Sequence, residues 1–365
     1  MKQLKIIISG GGTGGHVFPA ISIANALTEI IKDVNILFVG ANNRMEMEKV
    51  PAAGYKIIGL PISGFHRKKI WKNFKVIYNL LRSLIKARSI IKIFKPDVVV
   101  GVGGYASGPV LRIAGNRGIP TVIQEQNSYA GITNKLLAKK AKIIFVAYEA
   151  MDKYFPKEKI IMAGNPVRKD LIDIEDKSEK DFKYFQLDKN KKTVLALGGS
   201  LGARSINMCL LNNYKEFVNN NIQLIWQTGK LYYNEIISKI GNNIDGIKIM
   251  DFISEMKYAY SVADVIISRS GAGTISELCI VGKPVILVPS PNVAEDHQTK
   301  NALALVNKDA AIMVKDSEVN NQLVLKTISL LNKEDKLKEM SINIGKLAIK
   351  NSAKIIANGI LKLIK

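Results

Sequence analysis

Along the chain, short apolar runs rich in Ile and Val alternate with longer stretches of helical spacing. The runs are "LKIIIS", "VNILFV", "DVVVGV", "PTVIQ" and "KIIFVA", then "KTVLAL", "IQLIWQT", "DVIIS", "PVILVP" and "AAIMV". Because they are continuously apolar, both faces of each must be buried, which predicts strands of parallel sheets covered by helices on both sides. The fold class read from this pattern is α/β. Each series opens alike, since "KIIISGGGTGGHVFPAISIANAL" and "TVLALGGSLGARSINMCLL" both read as strand, glycine loop and helix. In the first of these helices Val17, Ile21, Ala24, Leu27 or Thr28, and Ile31 share a face, with Pro19 expected in the first turn, where a missing N–H does no harm. Two doubly wound, Rossmann-like domains facing a central cleft are the economical architecture. Such sheets bind ligands at the carboxyl ends of their strands, where both glycine loops fall.

Between the two series lies a polar, charged stretch, residues 165 to 192, which marks a junction between domains of 1–164 and 165–345. The C-terminal "KLAIKNSAKIIANGILKLIK" reads as an amphipathic helix over 346–365. With 365 residues the chain has room for two domains, and none of its apolar runs approaches the length that spans a bilayer. Lys2 and Lys5 precede only the short run Ile6 to Ile8, too little for a signal peptide, so a cytoplasmic protein is expected. Cys209 and Cys279 have no metal or redox spacing and read as buried hydrophobes.

Charge changes the picture more. The formal net charge is +22, which points to an acidic partner, either nucleic acid or an anionic membrane, although lysine is abundant throughout. From Lys49 to Pro96 there is no Asp or Glu but twelve Lys or Arg, interleaved with large apolar residues. Lys68, Lys69, Trp71, Lys72, Phe74, Lys75, Ile77, Tyr78 and Leu81 suit a helix lying on an anionic membrane; the plainer alternative is a core helix with a solvated basic side. Aromatic platforms of the kind that bind nucleic acid are lacking elsewhere, so no nucleic-acid partner is expected.

Three glycine-rich segments carry candidate chemistry. Gly10, Gly12 and Gly15 satisfy the dinucleotide pattern G-x-G-x-x-G, yet "VNILFV" runs into Gly40, Ala41, Asn42 and Asn43 instead of a ribose-binding acid, and only Arg44 keeps an NADP reading open. His16, near a helix N-terminus, is held neutral by the helix dipole and suited to accept a proton; its plainer role is packing or capping. In "LGGSLGAR", Ser200 and the loop's N–H groups suit a phosphate, the plainer alternative being a tight turn with no ligand. In "SRSGAGTISE", Glu277 falls on the first turns of a helix, where a carboxylate can take both hydroxyls of a ribose or merely cap. The place to seek a D-x-D metal pattern is "LIDIED", in the junction read as a solvated linker.

Taken together, "GGGTGGHVFPA", "GVGGYASGP", "QEQNSYAGITNK", "AGNPVR", "GGSLGARSIN", "SRSGAGTISE" and "EDHQTKNA", in that order, resemble the MurG family of glycosyltransferases over nearly the whole chain. The resemblance implies the two-Rossmann GT-B fold, with the C-terminal helix crossing back onto the first domain. It implies an inverting enzyme that moves GlcNAc from UDP-GlcNAc to the 4-hydroxyl of undecaprenyl-pyrophosphoryl-MurNAc-pentapeptide in peptidoglycan synthesis, converting lipid I to lipid II without a metal or other cofactor. The alternatives are a GT-B transferase for another lipid acceptor, or an NADP-dependent oxidoreductase, which leaves Glu277, Gln298 and Ser200 unexplained.

By the same resemblance the second domain holds the donor: Ile253 packs on the uracil, Ala272, Gly273, Thr274, Ile275 and Ser276 contact the nucleotide, and Glu277 takes the ribose. Ser200 and Arg168 are implied at the diphosphate, Gln298 and Asn127 at the GlcNAc hydroxyls, and Thr13, Gly14 and Gly15 on the opposite wall. His16 is implied as the base, and Gly11, Gly12, Thr13, Gly14, Gly103, Gly104 and Tyr105 at the acceptor pyrophosphate. The enzyme is then peripheral, on the cytoplasmic face of the plasma membrane, with other cell-wall synthesis proteins as possible associates.

Overall fold

Every Ile- and Val-rich run lies in a parallel strand. In the computed structural model, which describes residues 3–64, 73–172, 174, 176–199, 201–241, 243–293 and 296–364, the chain divides into two units. The first comprises Met1–Val167 and Asn351–Lys365. It runs β1 (Leu4–Ser9), α1 (Gly14–Ile30), β2 (Val34–Ala41), α2 (Glu46–Ala52), β3 (Lys56–Leu60), α3 (Asn73–Phe94), β4 (Val98–Gly101), α4 (Ser107–Asn116), β5 (Thr121–Glu125), α5 (Ile132–Ala138), β6 (Ile143–Val146) and β7 (Ile160–Met162). The strand order is β3-β2-β1-β4-β5-β6-β7, all parallel.

The second unit, Arg168–Lys350, runs α6 (Glu179–Phe185), β8 (Lys192–Leu197), α7 (Arg204–Asn219), β9 (Ile222–Gln227), α8 (Tyr233–Ile240), β10 (Ile247–Met250), α9 (Met256–Val262), β11 (Val265–Ser268), α10 (Ala272–Val281), β12 (Val285–Leu287), α11 (His297–Val306), β13 (Ile312–Met313), α12 (Val319–Leu331) and α13 (Glu334–Gly345). Its sheet has the order β10-β9-β8-β11-β12-β13, again parallel. The chain then returns to the first unit as α14 (Ser352–Lys362).

In each sheet the first strand sits beside the fourth, so the winding reverses between β1 and β4 and between β8 and β11. Neighbouring crossover helices leave in opposite directions there and open a crevice at the carboxyl ends of the strands. The central strands are buried on both faces: Ile6 to Ile8, Val98 to Val100, Val194 to Ala196 and Val265 to Ile267 are wholly inaccessible.

Some local expectations need correction. Strands β3, β7 and β10 stand outside the predicted set, and all three are sheet edges, where a strand shares only one ladder and needs no continuous apolar run. Pro19 lies in the second turn of α1, because the helix already starts at Gly14. That helix buries Ala20, Ile23 and Ala26 as well as Val17, Ala24 and Leu27, while Thr28 is exposed: it packs on the sheet with one side and on α14 with another. The charged stretch read as a junction, with "LIDIED" as a solvated linker, belongs from Arg168 onward to the second unit, since Leu171, Phe182 and Phe185 are buried and Asp176 pairs with Lys283, while residues 173 and 175 lie outside the described residues. The buried Phe182 and Phe185, with the Tyr184 ring edge-on to Tyr258, seat the short α6 against α9. The C-terminal helix begins at Ser352, not 346.

An isolated helix as short as α14 does not persist in water, so packing holds it. Ile356, Ala357 and Ile360 enter the core formed by β1, β4, β6 and α1. A Cβ on Gly359 would lie 2.4 Å from Cζ of the buried Phe145. Gly359→Val gains under ~0.5 kcal/mol of helix propensity and incurs overpacking of about 1–3 kcal/mol, so a net loss is expected. Thermal denaturation checks this against Gly345→Val, where a Cβ meets open space.

Candidate functional site

At the reversal point of the first sheet, two glycine loops meet backbone to backbone. Gly104, at φ +81°, would place a Cβ 2.4 Å from the carbonyl oxygen of Gly11, and Gly103, at φ +88°, would place one 2.8 Å from the His16 ring at Nε2. Any side chain here would push the loops apart or displace the imidazole. Glu46, at the start of α2 and 1% exposed, anchors the first loop: Oε2 accepts the Gly12 N–H and Oε1 the Ala41 N–H, each at 2.9 Å. A carboxylate thus already fills the N–H that a dinucleotide pyrophosphate would claim, which weighs against the NADP reading.

His16 is half-buried in the first turn of α1. Its Nδ1 lies 3.1 Å from Oγ1 of Thr13, the N-cap residue, whose hydroxyl faces this ring instead of capping an N–H. If Nδ1 donates to Thr13, Nε2 keeps its lone pair on the Gly103 side and is the nitrogen able to take a proton. Thr13 and Gly15 are exposed, Gly14 lies against Phe18, and the half-exposed Tyr105 ring covers Gly64.

After β5 the chain wraps around Glu125, which is 2% exposed. Its carboxylate accepts the N–H and side-chain amide of Asn127 at 3.1 and 3.3 Å, the Gly131 N–H at 3.0 Å and Asn134 at 2.9 Å. Burial raises its pKa despite these donors. Asn127 is therefore held in place by Glu125. Beneath it, Gln124 donates to Asn165, whose amide donates to the Gln126 carbonyl, and the Gln126 amide donates to Val102 O behind the second glycine loop.

In the second unit, the turn after β11 leads into α10. Ala272 and Ile275 are buried, Ile275 N–H closes the first turn onto Gly271 O, and Ser276 donates back to Ala272 O. Gly273 and Thr274 are half-buried at the helix start. Glu277 follows, and Arg168 grips it from the chain entry: Nε to Oε1 at 3.2 Å and Nη2 to Oε2 at 3.4 Å, with the Tyr260 hydroxyl 3.3 Å from Oε2. Burial raises the Glu277 pKa, and Arg168 opposes that rise. The guanidinium implied at a diphosphate is here spent on the carboxylate. Ile253 is completely buried, with its N–H on Gln227 Oε1, so its side chain offers no stacking face; the adjacent Phe252 is exposed.

Gln298 receives the Ser290 N–H on Oε1 at 2.8 Å and the Ser270 hydroxyl on its carbonyl. It lines a cavity of about 630 Å³, together with Gly198, Gly202, Arg204, Arg269 and Asn292. Arg269 fixes its floor, donating to Val288 O, Pro289 O, Ser205 Oγ and Asp316. Ser200 lies outside the described residues, as do Lys68, Lys69, Trp71 and Lys72.

Comparison with known proteins matches this geometry to a family. Residues 6–146 fit the glycosyltransferase family 28 N-terminal domain, and residues 193–358 its C-terminal domain. The UDP-N-acetylglucosamine--N-acetylmuramyl-(pentapeptide) pyrophosphoryl-undecaprenol N-acetylglucosamine transferase of Bacteroides thetaiotaomicron is 59% identical, over 99% of this chain and 98% of its own. The chain belongs to the MurG family. The transferase of the same name from Flavobacterium psychrophilum is 53% identical over 100% of this chain and 99% of its own. The crystal structure of Acinetobacter baumannii MurG superposes with a TM-score of 0.79 at 27% identity, covering 98% of this chain and 99% of that one.

Within this MurG-family chain, Glu46, Glu125, Arg269 and Tyr260 are structural partners of the site that the sequence reading passed over. A signal existed for Arg269, a charge immediately after a buried strand; nothing local marked Glu46, which meets Gly12 from 34 positions away. Glu46→Gln puts an amide N–H against one of two backbone N–H groups and is expected to cost about 1–3 kcal/mol, read as a fall in melting temperature. Glu48→Gln, on a side chain 77% exposed, is the control that should leave melting unchanged.

Proposed function

We propose that the chain transfers GlcNAc from UDP-GlcNAc to undecaprenyl-pyrophosphoryl-MurNAc-pentapeptide, forming lipid II from lipid I. The observation that carries this reading is the full-length identity to relatives named for that transfer. The second unit is the donor unit on this reading. Glu277 takes the ribose hydroxyls, Arg168 exchanges the carboxylate for the diphosphate, and the loop from Ala272 to Ser276 contributes helix-start N–H groups. Gln298, with Ser200 and Asn127, serves the diphosphate and sugar. The exposed Phe252, rather than the buried Ile253 side chain, is then the apolar surface beside the uracil, with Ile253 contributing backbone.

The first unit takes the acceptor. Its pyrophosphate meets the loops of Gly11, Gly12, Thr13, Gly14, Gly103, Gly104 and Tyr105 through donors other than the Gly12 N–H, which Glu46 already holds. The muramyl 4-hydroxyl attacks the anomeric carbon opposite the UDP oxygen, the bond to that oxygen breaks with inversion, and Nε2 of His16 takes the hydroxyl proton. Charge developing on the departing diphosphate is met by Arg168 and helix N-termini, so the reading calls for no metal or other cofactor.

Among the described residues no helix is long and apolar enough to cross a membrane. On α3, however, Phe74, Ile77, Tyr78, Leu81 and Ile85 form an exposed stripe at helical spacing, between 48 and 79% exposed, beside Lys75, Arg82 and Lys86. The opposite side buries Val76, Ala87, Ile90 and Ile91. A helix apolar on two sides has one for the core and one for another apolar phase. We read the outer stripe as a docking face for the anionic cytoplasmic leaflet, where the lipid-linked acceptor resides; partnership with other cell-wall enzymes belongs to the same reading.

Two experiments test these assignments. Transfer of labelled GlcNAc to a short-chain lipid I analogue should proceed in EDTA. Glu277→Ala should raise the KM for UDP-GlcNAc roughly 10-fold or more, while His16→Ala should lower kcat by ~10²–10⁴ with UDP still bound. A wild type that binds UDP-GlcNAc yet transfers nothing refutes the acceptor assignment alone. Separately, the Phe74→Ser, Leu81→Ser pair should bind vesicles of anionic phospholipid roughly 10-fold or more weakly than wild type, given ~1.5–3 kcal/mol for each large apolar side chain buried. Unchanged vesicle binding would remove α3 as the docking face.

A further inference from the structure

The Glu277 carboxylate has two kinds of partner, and they differ in whether they can leave. Arg168 approaches through Nε and Nη2 on a side chain 43% exposed, so solvent and ligand reach it readily. Tyr260 approaches from α9 with its hydroxyl 3.3 Å from Oε2, and the residue is 1% exposed, fixed among buried neighbours such as Ala259, Ser261 and Val262. When a ribose comes to Glu277, the guanidinium is the exchangeable partner and the phenol the permanent one.

We infer that Tyr260 is a positioning residue for nucleotide recognition: its O–H holds Oε2 of Glu277, so that the carboxylate keeps its direction toward the ribose hydroxyls once Arg168 has turned away. The inference rests on the ribose role proposed for Glu277. It follows from the hydrogen-bond inventory. An ionised carboxylate accepts on both oxygens, and one oxygen tied to a buried donor leaves its remaining lone pairs and the second oxygen aimed at a ligand. Without the phenol, loss of Arg168 to a diphosphate would leave the carboxylate free to rotate, and the ribose would have to order it. Burial and the neighbouring Glu277 charge raise the phenol's pKa well above its ordinary value, so the donor proton stays in place throughout the physiological range.

The test titrates UDP and 2′,3′-dideoxy-UDP into the full chain by calorimetry, using wild type, Tyr260→Phe, Glu277→Gln and the double variant. Phenylalanine keeps the ring and removes only the hydroxyl. The expected result is that Tyr260→Phe weakens UDP roughly 5- to 10-fold, the dideoxy nucleotide less than about 2-fold, and UDP not at all further in the Glu277→Gln background. Equal weakening of both nucleotides, including loss of both through misfolding, or no weakening of either, overturns the inference. An undiminished effect of Tyr260→Phe in the Glu277→Gln background overturns it as well. If wild type itself binds UDP and the dideoxy nucleotide equally, the ribose role of Glu277 fails first and the inference with it; if wild type discriminates and Tyr260→Phe does so just as strongly, only Tyr260 fails.

Discussion

A parallel sheet delivers all its strands to the same edge, and helices must return over its faces to bring the chain back. Where the winding reverses, the returning helices part, and backbone N–H groups and small loops are left facing an open crevice. Both units are built around this constraint, at β1 beside β4 and at β8 beside β11. In the first, the loops after the two central strands approach so closely that Gly104 has no room for a side chain over Gly11. In the second, Glu277 and Gln298 both come from helices that follow adjacent strands, β11 and β12. The chemistry proposed for the chain therefore sits where strand order requires an opening.

Three buried or half-buried carboxylates show how the crevices are stiffened. Among the described residues, Glu46 and Glu125 accept from neutral donors, chiefly backbone N–H groups, and are shut away from solvent. Their hydrogen bonds hold loop geometry, because a carboxylate left with an unmatched neighbour in such a place is costly. Glu277 differs: its side chain keeps 21% exposure and its chief partner is a cation that solvent can reach. A buried group with fixed neutral partners is a clamp, whereas one paired with a mobile charge can exchange that partner for a ligand. That contrast, more than the mere presence of an acid, separates the framework carboxylates from the one assigned to the nucleotide.

How much could be read in advance follows the same physics. Central strands announce themselves because burial on both faces demands uninterrupted apolar residues, as in Ile6 to Ile8 or Val265 to Ile267. The edge strands β3, β7 and β10 carry no such demand, and Ile161 and Met162 are even exposed, so their sequences resemble loops. The short helix α6 was hidden by its charges, one of which, Asp181, is itself buried beside Phe182 and Phe185. Glycine loops and their motifs were legible because tight backbone approach restricts residue type at adjacent positions.

Local chemistry in the sequence thus determined the α/β class, the two winding units, the glycine loops and the motif set shared with the MurG family. Only the tertiary structure decided that Glu46 reaches Gly12 across 34 positions, that Tyr260 reaches Glu277 across 17, and that Arg269 meets Asp316 across 47. It also showed Arg168 gripping Glu277 and the Ile253 side chain wholly enclosed. The reason is one of range: strand burial and turn geometry act between neighbours and leave a periodic or compositional mark, whereas a hydrogen bond between distant segments constrains one atom on each and leaves no pattern along the chain.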